Sequence, residues 1–547
     1  MVSYCNKFFT TIGKNMAEKI EKLANPIKMN YNNINSMYLK PVDENEIIRH
    51  IHSLKNNCAP GEDGISALLI KHIHKHVLKP LTYLLNLIFK TGIVPEYFKT
   101  SVITPIFKSG NKKQITNYRP ISVINNFSKI LEKALKERLV KFFEINNILS
   151  HRQFGFIESM STNDALYEII SEITNNLNDS KKALAVFLDL AKAFDTVPHH
   201  NLLEILSGYG IRGPVLDVFK SYLSNRVQSV KIDGVISEPR TVAMGIPQGT
   251  VLGPILFITY INPLLKEMHI EGSMLSYADD TVLVFSGDSW NNVKNMAENG
   301  IRLVKNWFDS FQLSLNLTKT NFIAFSPTEK NRPYFNELKI NDTFIQGTKH
   351  TKYLGIIIDC HLRWSFHIER ITLCVKRLLH KFYVLREFMS KKLLICIYKS
   401  LIESIFRYGI IVWGGMYKTL LQPLNTLQNY ILKIIFKKPK LYHTSLLYSV
   451  DVLNIRCLYI LSVNKFMNRL NNLSIKHSVN TRCRQMGNLS MPYNKKTLCL
   501  KSIVYLGPKL HNILPLQIRQ LKANKKFNRK CTEYIYNNYD SIYDRLF

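Results

Sequence analysis

The sequence predicts an α+β fold, because strand-type and helix-type hydrophobic patterns both occur along its 547 residues. A nearly continuous apolar run, ALAVFLDL at residues 183–190, is typical of a buried strand. Residues 274–285, MLSYADDTVLVF, place apolar flanks rich in strand formers on either side of a short polar tip, which predicts a β-hairpin. Residues 371–389, in contrast, repeat apolar side chains at helical spacing.

The chain carries a large positive charge, with 73 Lys and Arg residues against 40 Asp and Glu residues and a net charge of +33. The excess is spread over the whole chain, which predicts a polyanionic partner, nucleic acid first and an anionic membrane surface second. No apolar run approaches the length of a transmembrane helix. The nine cysteines include no Cys-x-x-Cys pair, which argues against a disulfide scaffold or zinc ribbon and favours a reducing intracellular compartment.

The first part of the chain contains one basic hairpin of interest. Residues 1–44 predict a helical lead-in without catalytic residues, and the segment Asp43-Glu44-Asn45 is the expected cap of a helix that runs to about Leu54. Residues 102–107 predict a strand that delivers Lys108, and a second extended segment carries Arg119. Together they suit a triphosphate, since Arg binds phosphate oxygens bidentately and Lys acts as a point charge. A solvated basic hairpin is the alternative.

The middle of the chain adds a packing helix and a glycine-rich loop. Residues 128–143 have one apolar face, as a packing helix does, and residues 161–162 offer an N-cap for another helix. The segment MGIPQGTVLGPILF (244–257) reads as a loop that runs into a helix. Its glycines, Gly249 among them, permit close approach of a ligand to the backbone, and Gln248 offers an amide there. A phosphate-binding P-loop is excluded, because Gly-Lys-Ser/Thr is absent.

Three carboxylates are candidates for metal binding. Asp189 lies near the end of the buried strand, where a charge is costly unless it is paired or bound to metal, and Asp279 and Asp280 occupy the hairpin tip. A solvated acidic turn is the alternative for the hairpin pair alone. If the two strands are neighbours, the three carboxylates form a two-metal site for phosphoryl or nucleotidyl transfer. Lys319, at a turn within residues 313–326, is then a candidate general acid.

The remaining segments are mostly helical. Residues 290–312 predict a helix and residues 353–359, YLGIIID, a short strand. The helix at 371–389 carries Lys and Arg off its apolar stripe, a pattern that suits a nucleic-acid backbone or a plain solvated face equally well. From about residue 420 the chain reads as helical and basic.

An ordered set of motifs resembles the reverse transcriptase of non-LTR (LINE-type) retrotransposons, most like the Jockey-related group. The motifs are NYRPIS (117–122), QFGF (153–156), DLAKAFDTV (189–197), GIPQGTVLGPILF (245–257), YADDT (277–281), LNLTKT (315–320) and YLGIIID (353–359). The resemblance is close over residues 45–370. It implies a right-hand polymerase with fingers, palm and thumb and a mostly helical C-terminal region.

The resemblance also implies domain boundaries and residue roles. The domains are a lead-in or linker at 1–44, fingers and palm at 45–360 with a core at about 90–360, a thumb-like helical region at 361–440 and a basic helical C-terminal region at 441–547. The implied site residues are Asp189, Asp279 and Asp280 for two Mg²⁺ or Mn²⁺ ions, Lys108 and Arg119 for the triphosphate, and Gln248 and Gly249 for the template–dNTP pair. Phe194 is the implied sugar filter, since its ring would clash with a 2′-hydroxyl; core packing is the alternative role.

The implied function is an RNA-directed DNA polymerase that extends a DNA 3′-hydroxyl. Its partners would be an RNA template, a DNA primer or target and dNTPs, without a membrane, in the cytoplasm and nucleus. An inactive nucleic-acid-binding relic and a group II intron-like maturase are the alternatives, although the motif spelling fits the LINE type better. Because only about 40 residues precede the polymerase-like region, we expect no endonuclease activity.

Overall fold

The structure is a computed structural model that describes residues 1–20, 27, 32–473, 488–493 and 496–546. Its α-helices are α1 (Val2–Ala17), α2 (Glu44–His52), α3 (Ala67–Thr91), α4 (Asn126–Ile145), α5 (Thr162–Asn178), α6 (His199–Gly208), α7 (Pro214–Leu223), α8 (Gly253–Glu267), α9 (Trp290–Ser310), α10 (Ser365–Phe388), α11 (Lys391–Tyr398), α12 (Ser404–Arg407), α13 (Ile410–Trp413), α14 (Lys418–Ile435), α15 (Ile455–Leu473), α16 (Thr497–Leu500), α17 (Ile503–Ile513), α18 (Leu516–Arg519), α19 (Lys525–Asn537) and α20 (Tyr539–Leu546).

The strands complete the predicted α+β class, which is confirmed. They are β1 (Thr100–Phe107), β2 (Tyr118–Ile124), β3 (Lys182–Leu188), β4 (Arg226–Ile232), β5 (Val235–Ile236), β6 (Arg240–Val242), β7 (Ser273–Tyr277), β8 (Asp280–Gly287), β9 (Asn321–Phe325), β10 (Glu337–Ile340), β11 (Thr343–Gly347), β12 (His350–Tyr353) and β13 (Ile356–Asp359). No helix among the described residues is long and apolar enough to cross a membrane.

The chain divides into two compact units, each assembled from separate stretches of sequence. The first unit comprises Met1–Met160, Leu188–Val282 and Asn299–Thr320, and the second comprises Ser161–Phe187, Leu283–Glu298 and Asn321–Phe547. Every candidate site residue from the sequence lies within the first unit.

The first unit contains a five-stranded sheet in the order β2-β1-β4-β5, with β6 also paired to β4. β1 and β2 are antiparallel, and their register places Ile106 opposite Arg119 and Phe107 opposite Tyr118. Lys108 comes directly after β1, and its N–H donates to the Asn117 carbonyl at 2.9 Å. The register therefore brings Lys108 and Arg119 to the same end of one hairpin.

Helix α1 packs against this sheet. Its Cys5 and Phe9 form a buried cluster with Ile103 of β1 and Val230 of β4. The helix is also held by polar bonds, because the fully buried Asn6 donates to the Gln228 carbonyl at 3.2 Å and accepts from the Gln228 side chain at 3.1 Å. A buried polar side chain with its bonds satisfied specifies one docking position for α1.

A six-stranded sheet follows the order β10-β11-β9-β3-β8-β7. β3 is almost entirely buried, as its continuous apolar sequence predicts. Asp189 comes directly after β3, and Asp280 is the first residue of β8. Because β3 and β8 are neighbours in the sheet, the carboxylates predicted on separate strands meet at one edge.

Helix ends and helix faces agree with the sequence patterns. Asp43 caps α2 by accepting from the Glu46 N–H at 2.8 Å, as predicted. In the second unit, the predicted stripe of α10 is buried at Ile371, Val375 and Phe382, and the cations on its other faces are mostly exposed. An amphipathic stripe thus packs inward while the charged side chains stay solvated.

The prediction of one strand at residues 353–359 is wrong. β12 ends at Tyr353 and β13 starts at Ile356, so the segment is the turn and second strand of a hairpin. Leu354 and Gly355 form the turn with φ angles of 44° and 81°. Two consecutive left-handed residues are typical of a tight hairpin turn, and an apolar run alone hides the reversal.

Candidate active site

Every candidate site residue of the sequence analysis lines one cleft of about 810 Å³ in the first unit. The cleft contains Lys108, Arg119, Asp189, Phe194, Gln248, Gly249, Asp279, Asp280 and Lys319, together with Lys192, Phe156 and Asn316. The structure therefore brings together basic, acidic, aromatic and glycine-loop residues that lie far apart in the sequence.

The acidic hairpin owes its shape to a glutamine from another segment. Ala278, between β7 and Asp279, has a φ angle of 59°, a conformation that costs a non-glycine residue energy. Its N–H donates to the Gln153 Oε1 atom at 3.0 Å, and the same oxygen accepts from the Gly155 N–H at 2.8 Å. Gln153 is 1% exposed, so these bonds are protected from water and hold the hairpin tip.

The backbone around Gln153 runs along β7. The Phe154 N–H donates to the Ser276 carbonyl at 2.9 Å, and the Ser276 N–H donates to the Arg152 carbonyl at 3.0 Å. A Cβ atom on Gly155 would lie 2.3 Å from the Ala278 nitrogen, so the close approach requires glycine. The QFG motif is therefore a clamp on the strand that leads into the two aspartates.

Asp189 is supported by the turn that carries Lys319. The Asp189 carbonyl accepts from the Asn316 N–H at 2.8 Å, and the Asp189 N–H donates to the Thr320 hydroxyl at 3.3 Å. These bonds bring the Lys319 Nζ atom to 3.9 Å from Asp189 Oδ2. The ion pair is largely solvated, because the Lys319 side chain is 64% exposed.

The hairpin carboxyls have perturbed acidities. Burial raises the pKa of Asp279, and the positive charges of Arg119 and Lys108 oppose that rise. Asp280 stands at the exposed rim, yet surrounding protein atoms and then the charges of Asp279 and Asp189 raise its pKa to about 6. The charge of Asp189 therefore makes both hairpin carboxyls harder to ionise, and the charge of Asp279 does the same to Asp280, as crowded like charges do.

This donor set fits a divalent cation. Three carboxylates meet in one cleft, and hard ions such as Mg²⁺ take carboxylate oxygens as ligands. A bound cation would relieve the repulsion that raises the pKa of Asp280. The residues that would hold it are Asp189, Asp279 and Asp280, and the exposed cations Lys108 and Arg119 share the same cleft.

The glycine loop is attached to the basic hairpin and to a buried acid. The Ser122 N–H of β2 donates to the Gln248 carbonyl at 2.7 Å, and Gly249 has a φ angle of 97°. Glu132, 1% exposed, accepts from the Val251 and Leu252 N–H groups at 2.5 and 3.2 Å. A carboxylate at the start of α8 satisfies free N–H groups and suits the positive end of the helix dipole.

Phe194 lies in the cleft wall within an aromatic group. Its ring stacks on Phe257 with centroids 4.2 Å apart and an interplanar angle of 19°. Phe156, from the QFGF motif, meets it edge-on at 6.3 Å. Phe194 is half-buried, so its position combines packing against Phe257 with a ring surface at the cleft.

Sequence reasoning missed four supporting residues of the site: Glu132, Gln153, Lys192 and Asp195. Burial lowers the pKa of Lys192, whose ammonium donates to the Thr116 and Tyr118 carbonyls at 3.2 and 3.1 Å. Lys192 and Asp195 stand inside the DLAKAFDTV motif and Gln153 inside QFGF, so the motifs were the available signal for these three residues, whereas Glu132 lies outside every motif.

Comparison with known proteins identifies the class of the fold and site. Residues 110–358 match the model of the family described as reverse transcriptase (RNA-dependent DNA polymerase). That matched segment contains every candidate site residue except Lys108, which lies two residues before it. Reverse transcriptases typically use divalent metal ions, in agreement with the donor set.

The relatives define the group more narrowly. The chain is 26% identical to the probable RNA-directed DNA polymerase from transposon X-element of Drosophila melanogaster, over 73% of this chain and 44% of the relative. It is 27% identical to the proteins from transposon BS and mobile element jockey of the same fly, over 77% of this chain and 47% and 46% of theirs. The chain is thus similar to the reverse transcriptases of non-LTR retrotransposons, and the predicted resemblance is confirmed. The chain spans less than half the length of these relatives.

Proposed function

We propose that this chain is an RNA-directed DNA polymerase that extends the 3′-hydroxyl of a DNA primer on an RNA template by nucleotidyl transfer. The observation that carries the proposal is the meeting of Asp189, Asp279 and Asp280 in one cleft with Lys108 and Arg119. Acidic metal ligands beside free cations suit a reaction on a triphosphate.

The three aspartates would hold two Mg²⁺ ions, or Mn²⁺ in their place. The chemistry that these ions supply when bound is activation of the primer hydroxyl and stabilisation of charge on the leaving pyrophosphate. Lys108 and Arg119, at one end of the β1–β2 hairpin, bind the triphosphate. Arg119 offers a bidentate contact to phosphate oxygens and Lys108 a point charge.

Lys319 acts as the general acid for the leaving pyrophosphate. Its Nζ atom stands 3.9 Å from Asp189 Oδ2, beside a carboxylate that would bind metal. A positioned acid of this kind contributes about 10²–10⁴-fold to a proton-coupled step. In Lys319→Met, the loss of extension rate should depend on the pKa of the leaving group.

Phe194 selects deoxyribonucleotides. The ring is supported from behind by Phe257 at 4.2 Å, so it cannot retreat from a 2′-hydroxyl without breaking that stack. Gln248 and Gly249 contact the template–dNTP pair from the loop that precedes α8. In Phe194→Ala, incorporation of rNTPs should rise relative to dNTPs while dNTP incorporation persists.

The same proposal assigns a role to each region of the chain. Residues 45–360 act as fingers and palm, 361–440 as thumb and 441–547 as a basic nucleic-acid-binding region, with 1–44 as the segment that leads in. The net charge of +33 suits an RNA template and a DNA primer or target as partners. A retrotransposon ribonucleoprotein with these partners would assemble in the cytoplasm and act in the nucleus.

Primer extension by the purified chain tests the proposal. The substrate is an RNA template with an annealed DNA primer, Mg²⁺ and dNTPs, and the test variant is Asp279→Asn. The matched control is Asp233→Asn, because Asp233 is exposed at a hairpin turn with a φ angle of 49°, which Asn tolerates. We expect a loss of at least about 100-fold in Asp279→Asn and an unchanged rate in the control.

Other outcomes favour other functions. Absence of extension by the wild-type chain, with tight and salt-sensitive RNA binding, would reject the proposal in favour of an inactive nucleic-acid-binding relic. Equal extension by wild type and Asp279→Asn would reject the assignment of the metal site.

A further inference from the structure

Gln248 is held by a residue outside the cleft. The Gln248 Nε2 atom donates a hydrogen bond to Asp195 Oδ1 at 2.8 Å. Gln248 lines the cleft, whereas Asp195 does not. Because an amide has one donor end and one acceptor end, engagement of the nitrogen by a carboxylate leaves Oε1 for a ligand in the cleft.

Asp195 sits in a confined polar environment. Its second carboxyl oxygen, Oδ2, is buried and makes no hydrogen bond within the described part of the chain. The side chain borders a small cavity of about 40 Å³ that Arg226 and Thr10 also line, which is room for a water molecule or two. Burial raises the pKa of Asp195, and the bond from Gln248 and the charge of Lys192 oppose that rise.

The backbone of Asp195 is in close contact with two glycines, one in α1 and one in the glycine loop. A Cβ atom on Gly13 of α1 would lie 2.0 Å from the Asp195 carbonyl oxygen, and one on Gly245 would lie 2.9 Å from the same atom. The Ile246 N–H also donates to the Phe194 carbonyl at 2.7 Å. Two glycines in such close contact leave the Asp195 backbone little freedom to shift, so α1 and the glycine loop together fix the backbone position from which its carboxyl extends.

We propose that Asp195 is a positioning residue for nucleotide binding, which fixes the amide of Gln248 so that an acceptor oxygen faces the incoming dNTP. The inference rests on the proposed polymerase function and deepens it. A carboxylate suits this task because it only accepts hydrogen bonds, and so it stabilises one of the two orientations of the amide. The partner of Gln248 Oε1 is then a hydrogen-bond donor on the nucleotide.

The N-terminal helix takes part in the same arrangement. α1 is fastened to the sheet through Asn6 and Phe9, and its Gly13 touches Asp195. The route from α1 to the nucleotide therefore runs through two contacts, from Gly13 to the Asp195 backbone and from the Asp195 carboxyl to Gln248.

The test compares substitutions that keep or remove the acceptor. Asp195→Leu has nearly the shape of Asp but accepts no bond, whereas Asp195→Asn retains an acceptor oxygen. Two quantities are measured, the KM for dNTP in single-nucleotide extension and the Kd for dNTP on a complex whose primer lacks a 3′-hydroxyl. We expect both to rise about 10-fold in Asp195→Leu, with kcat nearly unchanged, and to stay within about 3-fold of wild type in Asp195→Asn.

A double-mutant cycle separates positioning from general support of the fold. In a Gln248→Leu background, Asp195→Leu should have no further effect on the Kd for dNTP, because the residue acts through the amide. Equal losses in both backgrounds, accompanied by a lower Tm, would overturn the proposal in favour of a structural role. Asp195→Ser, whose hydroxyl is too short to reach Gln248, repeats the test if Asp195→Leu does not fold.

The result also distinguishes this proposal from the polymerase assignment. If the wild-type chain extends primers and Asp195→Leu binds dNTP as wild type does, positioning by Asp195 is refuted and the polymerase stands. If the wild-type chain neither extends a primer nor binds dNTP, both are refuted.

Discussion

Replacement of Gln153 by methionine is the sharpest test of how the acidic hairpin is held. Gln153→Met keeps the length and flexibility of the side chain and removes its acceptor oxygen. The Ala278 and Gly155 N–H groups, which donate to that oxygen at 3.0 and 2.8 Å, would lose their partner. Gln153 is 1% exposed, so water cannot take its place without opening the clamp.

The expected cost follows from the two lost bonds. A buried N–H group left without an acceptor costs about 1–3 kcal/mol, so the two groups together cost about 2–6 kcal/mol. The gain from burying a thioether in place of an amide offsets part of this. Because Ala278 also holds a φ angle of 59°, the strained tip would relax first and displace Asp279 and Asp280.

Three measurements test the effect of Gln153→Met on the fold and on the site. Urea unfolding should show a lower midpoint, primer extension should fall by more than the unfolded fraction explains, and the affinity for Mn²⁺ should weaken. Gln422→Met, at an exposed position of α14, is the matched control and should leave all three unchanged. A Gln153→Met variant with wild-type stability and wild-type extension would refute the clamp.

Three further predictions concern pH and a buried acid. The affinity for Mn²⁺ should fall as the pH is lowered from about 7.5 to 5.5, because the Asp280 pKa of about 6 leaves its carboxyl protonated at the lower pH. Asp280→Asn should flatten this pH profile of the Mn²⁺ affinity. A flat profile in the wild-type chain would contradict the reasoning. Glu132→Met should lower the free energy of unfolding by about 3 kcal/mol, because two N–H groups at the start of α8 lose their acceptor. Tyr222→Phe removes only one hydroxyl donor to Glu132 and should lower the free energy of unfolding by about 1 kcal/mol. Burial lowers the pKa of His511 from 6.5 to about 4. Between these pH values the unfolded chain binds more protons than the folded chain, so the free energy of unfolding should fall on acidification through that window, by up to about 3 kcal/mol. His511→Leu should remove this part of the pH dependence in urea titrations, and an unchanged pH dependence would count against the reasoning.

Local patterns were sufficient to find the carboxylates and the two hairpin cations that line the cleft. Asp189 was identifiable because a charge at the end of a continuous apolar strand requires a partner, and Asp279 and Asp280 because strand-forming runs flank them. Lys108 and Arg119 were identifiable as the cations of one hairpin. These are properties of short segments, because the spacing of apolar residues and the residue types at a turn can be read from neighbouring positions.

Local patterns failed to predict the secondary structure correctly where the chain reverses inside an apolar run. Residues 353–359 read as one strand, yet Leu354 and Gly355 turn the chain. An apolar residue at a left-handed turn position gives no polar signal, so only the pairing of β12 with β13 revealed the hairpin.

The sequence by itself determined which acidic and basic side chains line the cleft and that the fold combines α and β elements. The tertiary structure alone decided which residues hold those side chains in place. Gln153 supports Ala278 across 125 positions of the chain, and Asp195 supports Gln248 across 53. Neither pair follows from periodicity, because a hydrogen bond between distant segments depends on the packing of whole elements, and packing is a property of the assembled core.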